Sequence, residues 1–126
     1  MEIKIDRKEL LSALTVGGSL AGRNKVLPIL DSVKIRTKGN NMQVVSMDDQ
    51  SAIQKRASLL SCDVDGEFAV NASDLLKAVK ALKDPVVSLV YSEEKKTLVI
   101  EHLKGNISLL ATSTEDFPTL KVSSEN

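Results

Sequence analysis

Few side chains in this sequence combine a type and a spacing that can do chemistry. His102 stands beside Glu101, the pairing that a general acid–base dyad uses. Asp48 and Asp49 are adjacent carboxylates, hard oxygen donors of the kind that hold a divalent cation. Cys62 is a lone thiol with Asp63 and Asp65 close behind it. Lys77, Lys80 and Lys83 recur at every third position, which sets their ammonium groups along one stripe of a helix, suited to backbone phosphates.

The catalytic candidates are weak. A single histidine inside a strand pattern is ordinarily structural. Two acids in a polar hairpin are ordinarily a solvated turn. Carboxylates beside Cys62 disfavour its thiolate. No glycine-rich phosphate loop, GxSxG or HExxH motif is present. The expectation is a protein without hydrolytic activity, metal or cofactor. The lysine stripe, read alone, is either a phosphate-facing surface or a solvated helix face. Arg7 and Lys8 on the preceding helix, with Arg23 and Lys25 in a loop of small residues, extend it into one positive surface. Acids gather elsewhere, at Asp48, Asp49, Asp63, Asp65, Glu67, Glu93 and Glu94.

The elements that must position these residues repeat. Residues 2–6 (EIKID) alternate as a strand. Asp6 then opens a helix, with Glu9 placed to complete a capping box and Leu10, Leu11, Leu14 and Val16 on one face. Gly17-Gly18 ends it. Leu27-Pro28-Ile29-Leu30 is expected to be extended, because proline disfavours helix at the residue before it. Three alternating runs follow, SVKIRTK, MQVVSMD and SAIQKRASL, the first two joined by a Gly39-Asn40-Asn41 turn. Residues 61–66 read as an acidic loop. From Glu67 the cycle restarts: a strand, a helix capped by Asn71 and striped by Leu75, Leu76, Val79 and Leu82, a stop at Asp84-Pro85, and three more strands. A β-α-β-β-β unit used twice predicts an α+β domain of pseudo-twofold symmetry. Its two helices lie side by side on one face and antiparallel sheets form the other.

Composition bounds the function. A chain of 126 residues that is 42% apolar and 27% charged builds one globular core. No run approaches the roughly 18 apolar residues of a membrane span. MEIKID lacks the apolar stretch of a signal peptide, and a single cysteine suits a reducing compartment, so a cytoplasmic location and no membrane partner are expected. Net charge is zero, so any nucleic-acid role requires charge segregated by face. Aromatics are only 2%, which argues against stacking on single-stranded bases.

The doubled order, with Leu27-Pro28-Ile29-Leu30 after the first helix, Ala69-Val70-Asn71-Ala72 before the second, and Asp116-Phe117-Pro118-Thr119-Leu120 after the last strand, resembles the N-terminal domain of the bacterial sliding clamp family, the beta subunit of DNA polymerase III. The match runs over essentially the whole chain. The resemblance implies a DNA-clamp fold and a non-catalytic processivity role: helices line the hole of a ring around duplex DNA, and sheets form its rim. It implies that residues 1–126 are one clamp domain, the first of three. Its partners would be duplex DNA, met through the backbone, and neighbouring clamp domains or subunits. Polymerase and clamp loader would be reached only through the other two domains. An alternative is a stand-alone interaction module that kept the fold and lost DNA.

The residues the resemblance points to at DNA are Arg7, Arg23, Asn24, Lys25, Lys77 and Lys80. Arg23 lies within one residue of the family's loop arginine, Asn24 fills the nearest position, and Lys80 matches a basic helix position. Ser73 and Asp74 depart from it, standing where basic residues are usual. At the subunit interface Ile107 and Leu109 match, and Asn106 replaces a commonly charged residue.

Overall fold

The computed structural model describes residues 1–23 and 27–118. In order they form β1 (Glu2–Asp6), α1 (Arg7–Gly17), β2 (Ser32–Lys38), β3 (Asn41–Met47), β4 (Ala52–Ser58), β5 (Ser61–Cys62), β6 (Gly66–Asn71), α2 (Ala72–Ala81), β7 (Val86–Ser92), β8 (Thr97–His102) and β9 (Gly105–Thr112). The strands join into a sheet ordered β4-β3-β2-β6-β9-β8-β7-β1-β5, antiparallel at every pairing.

The two repeats exchange their first strands. β6, from the second repeat, pairs with β2 of the first, and β1, from the first, pairs with β7 of the second. Neither repeat can therefore complete its half-sheet alone. The halves meet where β6 pairs with β9 through Ala69↔Thr112 and Val70↔Ala111. They meet again on the far side, where the chain crosses between them. There Leu59 donates its N–H to Asn40 O at 2.7 Å and Leu60 donates to Lys4 O at 2.8 Å. The short β5 that follows pairs with β1. This strand lies in the stretch 61–66 that reads as loop from sequence, since two paired residues carry no periodicity.

Both helices pack on the inner face. α1 buries Leu10, Ala13, Leu14 and Gly17, one stripe at helical spacing. Val16, expected on that stripe, is instead 42% exposed, because position 17 and not 16 continues the spacing. α2 buries Leu75 and Val79, with Leu82 buried just beyond its end. The helices run antiparallel: Arg7 N–H at the start of α1 donates to Pro85 O beyond the end of α2 (2.9 Å), and Leu14 and Gly18 share a groove with Ala72 and Ser73 at α2's start.

Asn71 caps α2 by accepting from Asp74 N at 2.9 Å, and Asp6 caps α1 by accepting from Lys8 N at 2.8 Å. The expected capping box does not close. Glu9 Oε2 instead accepts from Ser58 N on β4 at 3.1 Å, tying the helix to the sheet.

A second, smaller core sits on the outer face. Leu30, Met47, Ala69 and Phe117 pack there, with Ile29, Val45 and Ala52 beside them. Pro28–Asp31 is a 3-10 turn and not extended chain; only Leu27 is extended. Pro28 occupies its first position, where proline's missing N–H costs nothing, and the turn aims Leu30 into the cluster. The two short motifs around Pro28 and Pro118 thus supply two side chains, Leu30 and Phe117, to one core.

Candidate nucleic-acid interface and ring edge

α2 presents Lys77 and Lys80 to solvent on its side away from Leu75 and Val79, while Lys83, expected on the same helical stripe, is exposed beyond the extended Leu82 that ends the helix. Among the described residues none of the three makes a hydrogen bond or an ion pair. Lys80 lies in the last turn of α2, where a cation also complements the helix dipole. Arg7 and Lys8 belong to the same end of the antiparallel pair, since Arg7 meets Pro85 just past α2. Lys8 is exposed. Arg7 is half-buried, and its Nε is enclosed with no partner, so it offers less of its guanidinium outward.

Arg23 is exposed and lies at the opposite end, in the loop whose Gly22 lines the groove beside Ser73. It is close enough to Asp48 to help hold that carboxyl below its usual range. The larger causes are the N–H groups of Gln50 and Ser51, which donate to Asp48 Oδ1 at 2.9 and 2.7 Å. Asn24 and Lys25 lie outside the described residues. The structure therefore places Lys77, Lys80 and Arg7 along one helix pair and Arg23 at its far end.

The other chemically suggestive residues have local structural work. Asp48 organises the β3–β4 turn through the bonds just described. His102 Nδ1 accepts from Lys104 N at 3.3 Å within the β8–β9 turn. Cys62 Sγ donates to Val64 O at 3.3 Å. Asp63 Oδ1 accepts from Glu2 N at 2.7 Å, which is the main reason its carboxyl is held below the usual range. Among the described residues no three His, Cys, Asp or Glu side chains converge.

β9 is half unpaired. Its residues 105–110 pair with β8, while only Ala111 and Thr112 also pair with β6. The free side of 105–110 leaves backbone donors and acceptors open, with Asn106 exposed and Ile107 and Leu109 half-buried beside them. Leu110, on the alternate face, is 84% exposed. Asp84, which sequence reading treated only as a helix stop, braces this edge: its Oδ2 accepts from Leu103 N in the β8–β9 turn at 2.8 Å. β4, the counterpart of β9 in the first repeat, ends the other half-sheet and pairs along its length with β3 alone. β4 is thus open along its outer side and β9 along residues 105–110, one strand from each repeat.

An internally duplicated domain with paired helices on one face, sheets on the other and a strand with an open side from each repeat is a DNA-clamp fold. A family model described as DNA polymerase III beta subunit, N-terminal domain, matches residues 1–121, and the chain belongs to that family. A Pseudomonas aeruginosa protein named beta sliding clamp is 26% identical over 121 residues, covering 96% of this chain and 33% of that protein. The structure of the beta subunit from DNA polymerase of Streptococcus pyogenes superposes with a TM-score of 0.89 at 23% identity, over 100% of this chain and 34% of that one. The DNA polymerase sliding clamp of Caulobacter crescentus gives 0.87 at 27% identity, over 98% of this chain and 34% of that one. The chain spans about a third of the length of these relatives.

Proposed function

We propose that this chain is one arc of a ring that encircles duplex DNA and serves, without catalysis, as a processivity factor for a replicative polymerase in the cytoplasm. The observation that carries the proposal is the antiparallel helix pair. It presents Lys77 and Lys80, unpaired among the described residues, on the face away from the sheet, in a chain of this family. Lysines on a helix surface meet phosphates as point charges and read no bases, which is what a sliding contact needs. Residues 1–126 act as a single clamp domain, and contacts to polymerase and clamp loader belong to further domains of the ring. Arg7, Arg23, Asn24 and Lys25 supplement the two lysines.

Duplex binding by the chain is expected to be weak and independent of sequence, with log K falling against log salt at a slope of about −2 to −4. Fluorescence anisotropy across a salt series measures it. Lys77→Ala/Lys80→Ala should make the slope shallower by about 2. Binding that survives high salt, or a double variant with unchanged affinity and slope, would favour an interaction module that has lost DNA.

The ring reading also predicts the behaviour of the open edge. A single contact through Asn106, Ile107 and Leu109 is smaller than the roughly 1,000 Å² that a stable interface requires. The chain should sediment as a monomer when dilute and self-associate weakly at high concentration. A stable closed oligomer at low concentration would show that this edge completes a ring from copies of this chain alone.

A further inference from the structure

Three cationic side chains gather on the opposite face of the domain. A groove of about 420 Å³ is lined by Arg36 and Lys38 of β2, Asn41 and Gln43 of β3, and Arg56 of β4. Strand register builds it: Arg36 stands opposite Gln43, and Gln43 opposite Arg56, in one row across the sheet. Lys38 and Asn41 form the neighbouring row. Ile35, Thr37, Met42, Val44 and Ala57 alternate with these residues and face the buried core under α1, so the groove looks away from the helices.

The lining of this groove carries three cations and no acid. Arg36, Lys38 and Arg56 are exposed and make no ion pair or hydrogen bond among the described residues. The nearest acids, Glu67 and Asp65, border the groove on its β6 side and make no ion pair with its cations among the described residues. Glu67, the β6 residue opposite Arg36, accepts from Thr114 Oγ1, and Asp65 accepts from Gly39 N at 2.8 Å. The two guanidinium forks flank the Gln43 amide, so each can hold two oxygens of one anionic group while the amides of Gln43 and Asn41 donate between them.

We propose that this outer groove binds the phosphate backbone of nucleic acid, as a second contact separate from the helix face. Its lining contains no apolar side chain to anchor a peptide and no aromatic ring to stack a base. What remains is recognition of repeated phosphates, with arginine the suited donor. On this reading a strand passing outside the arc is held while the duplex passes inside it.

The test uses the 126-residue chain with a short random-sequence duplex and a matched single strand. On titration, the backbone amides of Arg36, Lys38, Asn41, Gln43 and Arg56 should shift in heteronuclear NMR spectra, with at least one of the two DNA probes. Arg36→Ala/Arg56→Ala, which removes only exposed side chains, should bind that probe about three- to tenfold more weakly at low salt, with a slope shallower by about 2. Its circular dichroism and melting should stay those of the parent. Lys77→Ala/Lys80→Ala should leave the groove shifts in place, so failure of the helix face and failure of the groove are read separately. Shifts confined to α1 and α2, or an Arg36→Ala/Arg56→Ala variant with unchanged affinity and slope, would overturn the proposal. So would polyglutamate that shifts the same amides as strongly as DNA, since the groove would then take acidic peptide.

Discussion

Phe68→Ala is expected to destabilise the domain by about 3–5 kcal/mol, the largest loss of any single truncation in it. Phe68 is fully buried on β6, and its ring stacks on that of Tyr91 with centroids 4.7 Å apart and planes 16° off parallel. The two rings come from different half-sheets, β6 from one and β7 from the other, so the stack spans the core where the repeats exchange strands. Truncation removes the apolar transfer term and the aromatic contact, and it leaves a void bordered by two half-sheets that cannot both move inward. Scanning calorimetry should show the melting temperature falling by roughly 10–20 °C for a chain of this size. Tyr91→Phe is the control: it keeps the stacked ring, so its cost should stay under about 1.5 kcal/mol, as for other shape-conserving changes. If Phe68→Ala melted within a few degrees of the parent, the stack would not be what joins the half-sheets.

Gly17→Ala should also destabilise, by about 2 kcal/mol, although alanine is the better helix former by about 1 kcal/mol. Gly17 is the last residue of α1 and lies flat on β3. A methyl group there would sit 2.6 Å from Val44 O and 2.8 Å from Val44 Cβ. One of those atoms belongs to the sheet backbone, so α1 must lift rather than a side chain turn aside. Lifting it strains the packing of Leu10, Ala13 and Leu14 and the Glu9–Ser58 bond. Gly22→Ala separates this crowding from backbone strain. Gly22 has φ of +82° but no atom within 4 Å of an added methyl, so only its left-handed conformation is penalised, by about 1 kcal/mol. Urea denaturation of the two variants ranks them. Equal losses, or a gain at Gly17, would show that α1 is not pinned to β3.

Local signals carried much of the architecture. Asn71 caps α2 as its side chain and position predict, because capping needs only amides two or three residues away. The glycine of the Gly39-Asn40 turn adopts φ of +61°, which its lack of a Cβ allows at no cost. The alternation of SVKIRTK separates Val33 and Ile35 from Lys34 and Arg36, and the first pair is the buried one. Where sequence reading failed, a distant partner had intervened. Glu9 was drawn from its own helix end by the free N–H of Ser58. Pro28–Asp31 turned helical as it brought Leu30 against Phe117, a residue from the far end of the described chain.

The doubled α+β plan, the two helices and the placing of Lys77 and Lys80 on the second were legible along the chain. All of these rest on side-chain period and on neighbours within a turn or two. Three outcomes came from tertiary contacts: the repeats exchange β1 and β6, β4 and residues 105–110 of β9 are left with an open side, and Arg7 is half withdrawn from the helix face. Tertiary contacts also set Arg36 and Arg56 on either side of Gln43, residues drawn from three strands. Those outcomes depend on strand register and closure, where one residue of slip would turn every side chain to the other face, and no local pattern along the chain encodes which strand will be the neighbour.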